Sequence, residues 1–88
     1  MKKIMAALRD PKTKKIFTGE SHAHVMEALE DDDSDIYRRI RKEYVSTGRS
    51  PEAKHCGFTD GVEFLNRAQS LKKWGVFNSM DLRRVNGR

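Results

Sequence analysis

Cysteine is almost missing from this chain: Cys56 is the only one among 88 residues, so no disulfide framework holds the fold. Long apolar runs are missing too. The run over residues 4–8, after the basic start Met1-Lys2-Lys3, stops at Arg9-Asp10. It is too short for a signal-peptide core or a membrane span. A lone thiol without a secretory signal points to a reducing, cytoplasmic setting and away from a membrane. The chain also lacks an HExxH pattern, a glycine-rich phosphate loop and a paired-carboxylate arrangement.

The soft metal ligands are His22, His24, His55 and Cys56. Residues two apart on a helix face different ways, and neighbours in a strand point to opposite faces, so the four do not make a zinc site. Pairing Cys56 with His22 as nucleophile and base requires an exposed thiol of lowered pKa, and nothing local lowers it. The expectation is a non-enzyme with no catalytic residue, metal or cofactor.

What is present is one local grammar used twice. Two extended stretches joined by a turn run into a helix, first over 4–30 and again over 55–75. The first hairpin has Asp10-Pro11 as its turn, where proline pre-sets the backbone dihedral, and Ile16-Phe17 as strand residues. Capping candidates over 18–21 lead into a helix over 20–30 with Val25, Met26 and Leu29 at helical spacing. Asp32, Asp33 or Ser34 caps a second helix with the stripe Ile36, Tyr37, Ile40 and Tyr44, which ends in a loop over 46–51. The second hairpin turns at Asp60-Gly61 between Phe58-Thr59 and Val62-Glu63-Phe64 as a two-residue loop. Asn66 caps the next helix, Gly75 stops it, Val76 and Phe77 are a short strand or an anchor, and Asn78 or Ser79 starts a last turn. The fold class is therefore α+β: one domain over 1–88, two β-hairpins in one antiparallel sheet, helices on one face. So small a core makes a homo-oligomer an expectation as well.

The net charge of +5 is unevenly spread. Lys2, Lys3, Arg9, Lys12, Lys14 and Lys15 make the first hairpin basic, and Arg38, Arg39, Arg41 and Lys42 do the same for the second helix. Between them lies an acidic run that includes Asp31, Asp32, Asp33 and Asp35. Such a surface attracts phosphate-bearing partners, although basic runs are more often a solvated face. Around the second hairpin, Phe58 could stack on a base, Asn66 could read a base edge and Arg67 could hold a phosphate. The plainer reading puts Phe58 and Phe64 in the core, with Asn66 a cap and Arg67 on the surface.

Two segments carry a resemblance: Ile16-Phe17-Thr18-Gly19-Glu20-Ser21-His22, and Gly57-Phe58-Thr59 through Phe64-Leu65-Asn66-Arg67-Ala68. Together they resemble small bacteriophage proteins of similar build, among them the anti-Thoeris sponges that sequester cyclic ADP-ribose-type immune signals without cleaving them and assemble as oligomers. The turn is shorter here, and Arg67-Ala68-Gln69 stands where that pattern has Arg-x-Glu-Ala. The resemblance implies a nucleotide near Phe58, Asn66 and Arg67, with His22 or the basic hairpin through Lys14 completing the site, in the host bacterial cytoplasm. One alternative is an anti-CRISPR-like inhibitor of a defence effector, with Asp31, Asp32 and Asp33 mimicking nucleic-acid charge beside Arg38 and Arg39. The other is a small basic nucleic-acid-binding module.

Overall fold

The computed structural model describes residues 3–47, 50 and 52–87 of the chain. It is an α+β fold of four strands and four helices: β1 (Met5–Arg9), β2 (Ile16–Gly19), α1 (His22–Asp32), α2 (Ser34–Thr47), β3 (Cys56–Thr59), β4 (Phe64–Asn66), α3 (Arg67–Trp74) and α4 (Asp81–Val85). The strands form one antiparallel sheet in the order β2-β1-β3-β4, so the two hairpins abut through their first strands.

The β1–β3 register sets Leu8 against Cys56 and Ala6 against Phe58. Alternation along each strand then sends Ile4, Ala6, Leu8, Cys56 and Phe58 to one face. Two apolar clusters grow on that face. Leu8 and Cys56 meet Val25 and Leu29 of α1, Ile40 of α2 and Ala53. Ile4, Ala6 and Phe58 meet Val76 and Leu82. The expected stripe on α2 supplies the first cluster, with Ile36, Tyr37 and Tyr44 packed around Ile40.

The local signals act where the sequence places them. Asn66 accepts from the Gln69 backbone N–H at 2.8 Å while the Gln69 side chain accepts from the Asn66 N–H at 3.1 Å, a reciprocal cap for α3. Gly75 ends α3 in the left-handed conformation at φ 73°. Gly57 is required for a different reason: a Cβ there would lie 1.9 Å from the Leu65 carbonyl oxygen, where β4 passes over it. Val76 is an anchor in the core, not a strand.

Boundaries shift in three places. The helix expected over 20–30 runs from His22 to Asp32 because Ser21 caps it, its Oγ accepting from the His24 N–H at 3.2 Å. The second hairpin does not close through a two-residue loop. The Asp60 carboxylate captures the N–H groups of Val62 (2.9 Å) and Glu63 (3.0 Å), which opens a four-residue loop and pairs Thr59 with Phe64. Val62 consequently leaves the sheet and is 77% exposed. Of the loop expected over 46–51, Ser46 and Thr47 belong to α2, while Gly48, Arg49 and Pro51 lie outside the described residues. Among the described residues, no helix is long and apolar enough to cross a membrane.

Candidate functional site

The fold brings together three of the five ligand-binding candidates, Phe58, Arg67 and His22, but it gathers them inside. His22 and Arg67 are the first residues of α1 and α3, and both turn inward onto Phe58. The His22 ring meets the Phe58 ring edge-on at 5.1 Å between centroids, and the Arg67 guanidinium lies 5.9 Å from the same ring. Phe58 is 0% exposed, His22 3% and Arg67 6%.

An open cleft for stacking a base on Phe58 is therefore replaced by a packed interior. The reason is the β1–β3 pairing, which places Phe58 at the centre of the sheet and beneath Val76 and Leu82. Arg67 does not face solvent to hold a phosphate; its Nη1 donates to the Phe77 carbonyl at 2.7 Å and its Nη2 to Cys56 Sγ at 3.7 Å. The side chain of Asn66 is taken up by the α3 cap.

His22 Nε2 lies 2.8 Å from the Gly57 carbonyl oxygen, so it carries the proton and donates. Burial, with help from the nearby Arg67 charge, lowers its pKa from 6.5 to about 4, so the ring is neutral at pH 7. Burial also pushes the Cys56 thiol upward, and the thiol is shielded from solvent, the opposite of an activated nucleophile. His24 is exposed on α1, its Nδ1 2.7 Å from Ser21 Oγ. Among the described residues, no group of three His, Cys, Asp or Glu side chains is placed to hold a metal ion.

The residues assigned to partner contact divide. Asp31, Asp32 and Asp33 are exposed around the α1–α2 junction, and Arg38 is exposed with its guanidinium 3.9 Å from Asp35. Arg39 is not a free surface cation. Its Nε and Nη2 donate to the two carboxylate oxygens of Asp10 at 3.0 and 2.8 Å, a bidentate pair. Asp10 is wholly buried and also accepts from the Lys12 N–H and the Thr13 hydroxyl. The Arg39 hydrogen bond in particular holds its carboxyl far below the usual carboxylate range. Lys14 stays exposed, on the turn that this pair fastens.

A groove of about 630 Å³ that the sequence did not signal opens beside the start of β1, the end of β2, the first turn of α1 and α4. Lys3, Arg83 and His24 bring basic groups to it, Thr18 and Ser21 hydroxyls, and Met80, 83% exposed, a thioether wall. Glu20 adds one carboxylate. Its shape depends on Asn86, whose side chain accepts from the Ile4 N–H at 2.9 Å and donates to the Ile4 carbonyl at 2.8 Å, tying the chain end to β1. Two residues 82 apart in sequence make that tie, which is why no local pattern announced it.

No family model, curated protein or solved structure matches this chain.

Proposed function

We propose that this chain is a non-catalytic binding protein for a phosphate-bearing nucleotide, a phage-encoded anti-defence protein that sequesters an immune signal in the host cytoplasm. The observation that carries the reading is the groove beside α1, in place of the buried Phe58 cluster. Its volume lies within the range of small-molecule sites. Lys3 and Arg83 suit the phosphates, and exposed Met80 with half-buried Met5 offers apolar surface for a base. The thiol and the buried histidine serve packing and hydrogen bonding, which supports binding over turnover. Exposed Val45 and Val62, outside the groove lining, give apolar surface for self-association, so the reading includes a homo-oligomer.

Thermal unfolding with a panel of mono-, di- and cyclic nucleotides and ADP-ribose isomers tests this. A ligand at about 100 times its Kd adds about 2.7 kcal/mol, a rise of roughly 10 °C or more for a chain of this size. Lys3→Ala with Arg83→Ala should abolish the rise. A panel without any shift, or a shift that survives the double substitution, overturns the reading. Native mass spectrometry of the purified protein reports the number of copies and any retained small molecule.

A second reading is supported by one observation. Asp31, Asp32 and Asp33 stand exposed together at the α1–α2 junction, where Asp33 also caps α2 by accepting from the Ile36 N–H at 3.2 Å. Such an exposed negative ridge suits contact with a basic defence effector. Charge reversal at Asp31, Asp32 and Asp33 should then release a co-purifying effector; unchanged capture rejects mimicry.

A further inference from the structure

We propose that the β1–β2 turn, the adjoining side of α2 and the segment before β3 form a binding surface for the phosphodiester backbone of a nucleic-acid duplex. The cations involved come from three stretches of sequence: Lys12 and Lys14, Lys42, and Lys54. The fold fastens these stretches together. The bidentate Asp10–Arg39 pair holds the turn against α2. Arg9 reaches the third stretch, its Nη2 donating to the Lys54 carbonyl at 2.6 Å and its Nε to His55 Nδ1 at 3.2 Å. Burial and then the Arg9 charge lower the His55 pKa, Glu43 opposes them, and Lys14 and Lys54 add to the lowering, so these charges lie within electrostatic reach of one ring.

The acid at the centre of this region is buried and neutralised by Arg39. Lys12, Lys14, Lys42 and Lys54 are exposed, and among the described residues none of them forms a salt bridge. The nearby carboxylates are Glu43, half-buried and felt at His55, Asp33 and Asp35, both felt at Arg39, and Glu52, exposed on the same segment as Lys54.

A second observation singles out Lys14. It is the one non-glycine residue with positive φ, at 67°, among the described residues. Glycine or asparagine adopts that conformation more easily, and a lysine there is disfavoured by about 1 kcal/mol. Local backbone preference therefore argues against lysine at this point of the turn, and its side chain supplies the reason for it. The surface favours a duplex over a single strand. Phe17, Tyr37, Tyr44 and Phe64, the aromatics around it, are all half-buried, and Phe64 already lies under the Arg9 guanidinium at 4.9 Å, so among the described residues no run of open rings is offered to successive bases. What remains is a set of point charges on a turn and a helix, which suits phosphates.

Fluorescence anisotropy with a labelled mixed-sequence DNA duplex of about 20 base pairs, at about 50 and about 200 mM salt, tests this. About four phosphate contacts should weaken binding roughly a hundredfold between the two conditions. Lys14→Gly should leave the melting temperature unchanged or higher, while lowering affinity and removing about one contact from the salt slope. Lys14→Glu with Lys54→Glu should abolish binding at the lower salt, whereas Lys72→Glu with Lys73→Glu, the same change in net charge on α3, should reduce it only slightly. Equal losses from the two pairs, tighter binding of the single strand, or no binding at the lower salt each overturns the proposal.

Discussion

The two ββα units send the first residue of their helices onto the same ring, yet they solve the resulting problem differently. In the first unit that residue is His22, and in the second it is Arg67. A buried cation at a helix N-terminus is doubly disfavoured, by desolvation and by the positive end of the macrodipole. Histidine escapes by losing its proton: it stays neutral and uses one N–H to satisfy the Gly57 carbonyl. Arginine has no such escape, because its guanidinium does not deprotonate in proteins. It is held instead by the Phe77 carbonyl, which the chain brings back after Gly75 stops α3. The caps follow the same division: Ser21 works with a single hydroxyl, and Asn66 forms a reciprocal box with Gln69. The second unit, with the less forgiving buried charge, has the more elaborate helix start.

The comparison breaks most completely at the shared ring. Phe58→Ala removes the contact of both units at once and should lower stability by about 3–5 kcal/mol. Urea unfolding should show a correspondingly reduced midpoint, and a loss below 1 kcal/mol removes Phe58 from the centre of the core. Next in size, Arg39→Ala leaves the wholly buried Asp10 carboxylate without its guanidinium. A loss of about 3 kcal/mol is expected, at the lower end for a buried pair because Arg39 itself is one-third exposed.

The contrast between His22 and Arg67 sharpens with pH. The folded pKa of His22 is about 4 against an ordinary 6.5, so below pH 6.5 the unfolded chain binds a proton that the native state refuses. Stability contributed by the neutral ring is complete above pH 6.5 and falls as pH drops toward 4, by up to about 3 kcal/mol. His22→Gln keeps an N–H for the Gly57 carbonyl and should flatten the stability profile in that window. A profile identical to the parent assigns the acid sensitivity elsewhere. Smallest of all, Asn66→Ala and Ser21→Ala should each cost about 1 kcal/mol. Gln69→Ala, which removes the acceptor of the Asn66 N–H but leaves the Asn66 side-chain cap in place, should cost less than Asn66→Ala; calorimetry of the variants gives their order.

How much was readable follows from the range of the interaction. The Asn66 cap, the Gly75 stop and the stripe on α2 all act within a turn or two, so residue type and spacing announced them. The loop after Thr59 was misread because the Asp60 carboxylate competes for two backbone N–H groups, which outweighs the Asp-Gly preference for a tight turn. The sequence leaves Phe58 between a base-stacking and a core reading and sets Arg67 at the surface in both, because nothing in their own segment reports that β3 sits between β1 and β4. Arg39 was placed with its neighbour Arg38, but helix geometry sends consecutive residues in different directions, one to Asp10 and the other outward.

By itself the sequence determined the element types, the α+β class and the caps, because these depend on backbone preferences and hydrophobic spacing within about ten residues. Only the tertiary structure decided which charges would be buried, which would gather around His55, and where a groove would open. Those outcomes turn on contacts such as Asp10 with Arg39 and Ile4 with Asn86. Their partners lie 29 and 82 residues apart, and only the packing of the sheet brings them within hydrogen-bond reach.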